Sequence, residues 1–89
     1  MRYEDVLSKN KVEDVIKDYI TLEKEGSLYK GHCPWDGEEV ETLFVNPKLQ
    51  RWHCLLCWRG GDSASFISYY ENITIRAALT ILENRKEKR

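Results

Sequence analysis

The sequence predicts an α+β fold in which a short antiparallel sheet is flanked by one N-terminal helix and two C-terminal helices. Three observations predict it. Apolar residues recur at helical spacing in Val12, Val15, Ile16, Tyr19 and Ile20, and again in the last third of the chain. Between these stretches lie short β-favouring runs separated by turn residues. With 89 residues and neither an internal repeat nor a linker, the chain reads as a single domain over residues 1–89.

The elements follow in order. Asn10 and, three residues later, Glu13 form a capping-box pattern, which places the first helix at about residues 11–20. Tyr3, Val6 and Leu7 predict a short turn before it, and Glu25-Gly26-Ser27 ends the region. Leu28-Tyr29-Lys30, Thr42-Leu43-Phe44-Val45 and Arg51-Trp52-His53 predict three or four strands within about residues 28–61. Asp36-Gly37 and Asn46-Pro47 are the turn signals between them. Gly60-Gly61-Asp62 is expected to break the sheet, with Asp62 as N-cap of a helix at about 62–71 that carries Phe66, Ile67 and Tyr70. Asn72 interrupts. Thr74 then caps a final helix at about 74–86, with Ile75, Ala78, Leu79 and Leu82 on one face.

Composition narrows the function. The chain is 42% hydrophobic and 33% charged, as in an ordinary globular protein, and a core this small is marginal without a metal, disulfides or a partner. No apolar run approaches the ~18 residues that span a membrane. The charged start Arg2-Tyr3-Glu4-Asp5 is unlike an export signal, so the expected location is cytoplasmic. A net charge of −1 excludes a global basic field of the kind that announces nucleic acid. Charge is nevertheless uneven. Asp36, Glu38, Glu39 and Glu41 crowd one stretch, whereas Lys48, Arg51 and Arg59 flank the later cysteines.

Cys33, Cys54 and Cys57 suit a metal site better than a disulfide framework, being odd in number and closely spaced. With Asp36 they form the pattern C-x2-D-x17-C-x2-C. Two ligand pairs on tight turns clamp one tetrahedral Zn2+, and turn amides aimed at the sulfurs favour the ligating thiolates. The fourth ligand is Asp36 by position, with His32, His53 and water as the alternatives. A catalytic thiol is excluded by the same spacing, because a thiolate held by zinc is not free to attack.

The stretch Tyr29-Lys30-Gly31-His32-Cys33-Pro34-Trp35-Asp36, then Trp52-His53-Cys54-Leu55-Leu56-Cys57, then Gly60-Gly61-Asp62 resembles the zinc ribbon at the front of bacterial-type DNA primases. The opening helix from Val12 and the pair Glu71-Asn72 extend the resemblance over nearly the whole chain without a gap. There are two departures. Asp36 stands where the family has its histidine ligand, and Glu39 and Glu41 stand where it has a basic residue and a proline.

The resemblance implies a non-catalytic module that recognises single-stranded DNA template through a sheet face. The magnesium-dependent polymerising domain of a primase is missing from these residues, so the chain is not an enzyme on its own. A single-strand platform combines basic groups for phosphates with aromatic faces for bases. The candidates are Lys30, Lys48, Arg51, Trp52, Trp58 and Arg59, with Trp52 serving equally well as core, Trp58 exposed, and Trp35 shielding the metal. The catalytic domain of a primase, a helicase or a polymerase is the expected protein partner. In the alternative reading, the acidic loop from Asp36 to Glu41 binds such a partner instead of DNA. Nothing points to a membrane or to a small-molecule substrate.

Overall fold

Two short helices lead into a five-stranded sheet, and two longer helices close the chain, in a computed structural model that describes residues 3–35 and 41–84. The elements are α1 (Tyr3–Ser8), α2 (Val12–Lys17), β1 (Glu23–Glu25), β2 (Leu28–Gly31), β3 (Leu43–Asn46), β4 (Arg51–Cys54), β5 (Gly60–Gly61), α3 (Ser63–Glu71) and α4 (Ile75–Asn84). The strands form one antiparallel meander in the order β1-β2-β3-β4-β5. The α+β architecture is the expected one. No described helix is long and apolar enough to cross a membrane.

Alternation on the strands separates two faces. On β4 the pattern is strict: Trp52 and Cys54 are buried, Arg51 and His53 exposed. Val45 pairs with Trp52 and Leu43 with Cys54, so the inner face is continuous across β3 and β4. Val12 and Ile16 of α2 and Phe66 of α3 cover it. A second cluster joins Val6 and Val15 to Ala64, Ile67, Ala78 and Leu82, which ties the helices to one another.

The helix ends show which local signals prevailed. Asp62 caps α3 as expected, its Oδ1 accepting from the Ser65 N–H at 2.9 Å. Asn72 ends α3 in the left-handed conformation at φ 60, ψ 49, and the Thr74 hydroxyl accepts from Ala77 N–H. The capping box at α2 does not form. Asn10 is buried and its Nδ2 donates to the Val6 carbonyl, finishing α1 rather than starting α2. Gln50 takes the capping role from the β3–β4 turn: its Oε1 accepts from Val12 N–H at 2.9 Å, while its Nε2 donates to Glu13 and to the Pro47 carbonyl. A distant amide fixed at both ends satisfies the orphan donor and leaves Glu13 no need to reach back.

Three further expectations are corrected. Tyr3–Ser8 is a helix rather than a turn, because Val6 is anchored in the helical cluster. Glu23–Glu25 is a strand that no apolar alternation announces, paired to β2 through a hairpin in which Gly26 takes φ +66. Gly60 and Gly61 do not break the sheet. They form β5 against Trp52 and His53. A Cβ on Gly60 would sit 2.8 Å from the Trp52 carbonyl oxygen, so the close approach itself demands glycine.

Candidate metal centre and adjoining sheet face

The metal centre lies at one end of the sheet, where β2 and β4 run out into turns. Cys33 follows Gly31 at the end of β2, and Cys54 is the last residue of β4. Cys57 closes the turn between β4 and β5. The three Sγ atoms lie within 4.8 Å of one another, Cys33 and Cys57 at 3.7 Å. Zn–S bonds of about 2.3 Å at tetrahedral angles set sulfurs about 3.8 Å apart, so the Cys33–Cys57 pair already stands at that spacing and the remaining separations exceed it by at most about 1 Å. Cys33 and Cys54 are buried and Cys57 half-buried.

Backbone bonds hold the second turn. Cys54 N–H donates to the Arg59 carbonyl, Trp58 N–H to Cys54 and Leu55 N–H to Thr42, all between 2.9 and 3.1 Å. Burial alone would push the Cys54 thiol up. Bonds from the Cys57 backbone, the Thr42 hydroxyl, the Cys33 thiol and the Leu56 backbone outweigh it, and its pKa falls below the usual thiol value. The turn therefore favours the thiolate that a metal needs.

Asp36 lies outside the described residues. Neither histidine joins the cysteine cluster. His53 is turned away by strand alternation, with its ring 6.0 Å from Phe44 on the opposite face from Cys54, and His32 is exposed.

The nucleic-acid candidates separate sharply. Trp52 is corrected from a stacking residue to core. It is 1% exposed, its Nε1 donates to the Asp62 carbonyl at 2.7 Å, and its ring packs edge-on against Phe66 and face-on against Trp35. Trp35 belongs to the same aromatic cluster, touching Phe66 and Tyr69 as well. The Arg59 guanidinium lies over Trp35 and Tyr69, at 5.3 and 5.4 Å, and so bridges the first cysteine turn to α3. Lys30 pairs with Glu25 at 2.6 Å and Glu41 at 3.5 Å, which offsets its charge locally.

Lys48 and Arg51 are exposed. Trp58 is 83% exposed and sits at φ 63, a left-handed conformation that a bulky residue rarely holds. The nucleic-acid candidates read from the sequence did not include Phe44, expected only in a strand, or His53, weighed only as a metal ligand. Cross-strand partners on the outer face, they place two rings side by side next to the metal turn. The alternation of β4 is the signal that could have found them: once Cys54 faces the metal and the core, Trp52 must follow it and His53 must face out.

A family model described as CHC2 zinc finger matches residues 1–88. The chain belongs to the CHC2 zinc finger family. This CHC2 zinc finger is 37% identical over 78 residues to the DNA primase of Aquifex aeolicus, covering 88% of this chain and 16% of that protein. It is 40% identical over 75 residues to the DNA primase of Borreliella burgdorferi, covering 84% of this chain and 14% of that protein. A crystal structure of the Aquifex aeolicus primase, comprising zinc-binding and RNA polymerase domains, superposes with a TM-score of 0.89 at 33% identity. The match covers 94% of this chain and 21% of that one. The CHC2 zinc finger thus has the fold of a primase zinc-binding domain. The polymerase domain of that structure has no counterpart in these 89 residues. Zinc is the metal its cysteine cluster takes.

Proposed function

We propose that this chain is the template-recognition module of a DNA primase or primase-like replication protein, non-catalytic by itself, with zinc on Cys33, Asp36, Cys54 and Cys57. One observation carries the nucleic-acid part. The outer sheet face beside the metal turn exposes His53 and Arg51 and carries the half-buried Phe44 beside His53, with Trp58 and Lys48 exposed on the adjoining turns. Rings for bases and cations for phosphates are the two components of a single-strand platform. The naming of the relatives as DNA primases supports the same reading. Lys30 and Arg59 contribute through their neighbours rather than as free phosphate contacts, and Trp52 supports the face from behind.

Fluorescence anisotropy of a labelled single-stranded oligonucleotide, read at rising salt, tests this. Binding that weakens as salt rises is the expected result, with a shallow slope because few cations face outward. Folded, zinc-loaded protein that leaves the anisotropy unchanged even at low salt would favour the second reading. In that reading the acidic loop from Asp36 to Glu41 contacts a replication protein, such as a primase catalytic domain, a helicase or a polymerase, and Leu55 and Leu56, 47% and 57% exposed on the metal turn, add apolar surface.

For the fourth ligand, elemental analysis of Asp36→Ala is the direct measurement. A carboxylate is a harder ligand than thiolate or imidazole, yet it completes the four donors and closes the site. We expect zinc content near that of the parent after gentle purification, but loss to a chelator at least tenfold faster. A release rate equal to the parent's would move the fourth position to water.

A further inference from the structure

We propose that the junction of α1, the β3–β4 turn and the start of α3 holds a binding site for a small monocarboxylate with an apolar body. Its walls share no residue with the metal centre or with the outer-face candidates, and the site is independent of the nucleic-acid reading above.

A cavity of about 370 Å³ lies at this junction. Leu7 and Pro47 give it apolar wall, and polar residues from three elements complete the lining. Its volume is at the lower end for ligand pockets and suits a small molecule.

Most of the polar lining is already bonded within the fold. Ser8 Oγ donates to the Asp5 carbonyl, and the Gln50 amide is committed at both ends. Asp62 Oδ1 accepts from Ser65 N–H and its Oδ2 from the Tyr3 hydroxyl. Burial and that bond push the Tyr3 pKa up to about 12, so the hydroxyl stays a donor at any working pH.

Ser63 and Lys11 are left. Ser63 is 1% exposed, yet its hydroxyl has no hydrogen-bond partner among the described residues. No side-chain oxygen or nitrogen of the described residues is both fully enclosed and unpartnered, so this hydroxyl opens to the cavity it lines. The Ser63 and Ala64 amides at the start of α3 also have no partner among the described residues. Asp62 takes only the next two, Ser65 N–H by its carboxylate and Phe66 N–H by its carbonyl. Lys11 lines the same cavity and is in no ion pair among the described residues.

A buried hydroxyl, an ammonium and the positive end of a nine-residue helix are partners for an anion. The Asp62 carboxylate in the same wall limits that anion to a single charge, since a phosphate monoester carries nearly two. A carboxylate against Ser63 and Lys11, with its apolar body on Leu7 and Pro47, gives each of these groups a partner.

The test uses the zinc-loaded 89-residue chain with benzoate as the probe, followed by amide chemical shifts. Benzoate should move the Ser63 and Ala64 signals saturably, with a Kd on the order of millimolar. It should also raise the melting temperature, as a ligand of the native state does. Benzamide, similar in shape but uncharged, and inorganic phosphate should each bind about tenfold more weakly or worse. Lys11 makes no side-chain cap to α2, so Lys11→Met should melt with the parent yet lose about tenfold in benzoate affinity. Ser63→Ala should also bind benzoate more weakly. No saturable shift at the two amides overturns the site. Benzamide or phosphate binding as tightly as benzoate, or full affinity in both variants, overturns the carboxylate assignment.

Discussion

Cys54→Ser is expected to lose zinc and, with it, the folded state. Cys54 is fully buried and ends the strand that carries Trp52, and its sulfur is the one on which Thr42, Cys33 and the amides of the next turn converge. A serine hydroxyl fills nearly the same space. It does not ionise at neutral pH and is a poor ligand for a borderline-soft metal. Structural zinc contributes about 10–16 kcal/mol of apparent binding free energy, which is coupled to folding because no site exists in the unfolded chain. A domain of this size holds only a few kcal/mol in reserve. Elemental analysis of the variant should therefore find almost no zinc, and circular dichroism should find no cooperative melt at 37 °C. A variant that retains zinc and melts like the parent would place the metal elsewhere.

The second large effect is expected at Trp52. Its ring is the largest fully buried side chain, packed 5.2 Å from Phe66, 5.7 Å from Trp35 and 6.0 Å from Tyr69. Truncation to alanine leaves a cavity that four elements cannot close together, at a cost of about 3–5 kcal/mol. For a domain this short each kcal/mol lowers the Tm by about 4–8 °C, so Trp52→Ala should melt at least ~12 °C below the parent. Trp52→Phe keeps most of the ring and gives up only the indole bond to the Asp62 carbonyl, which still accepts from Phe66 N–H at 3.1 Å, for a loss nearer ~1 kcal/mol. The informative comparison is oligonucleotide binding by the phenylalanine variant. A core residue predicts unchanged affinity at temperatures where the variant is folded. Full stability with lost binding would return Trp52 to the outer surface, against the burial described here.

Much of this was legible in the residues. The cysteine spacing depends on chemistry that is local to each turn: two intervening residues bring two side chains onto one ion wherever the turn occurs. Asp62 and Thr74 are equally local, since a cap bonds to an amide three residues away. The helical stripe of Val12, Val15 and Ile16 likewise encodes its own buried face. Other readings failed where two remote segments competed for the same group. Asn10 has the right side chain and spacing to cap α2, but Gln50, thirty-eight positions beyond Val12, reached that amide first. Gly60-Gly61 reads as a break until Trp52 lies alongside it and needs a neighbour without a Cβ.

The sequence by itself determined the α+β class, the cysteine donor set and the caps of the last two helices, because each depends on residues within a few positions of one another. Only the tertiary structure decided which side of the sheet each side chain serves. A shift of one residue along a strand exchanges core for solvent, and it was pairing with β3 and packing against α3 that put Trp52 inside and Phe44 and His53 outside. Folding also brought Glu25 of β1 and Glu41, just before β3, to Lys30 and left Trp58 uncovered at the metal turn. Burial and charge pairing are properties of neighbours in space, and the chain acquires those neighbours only when it folds.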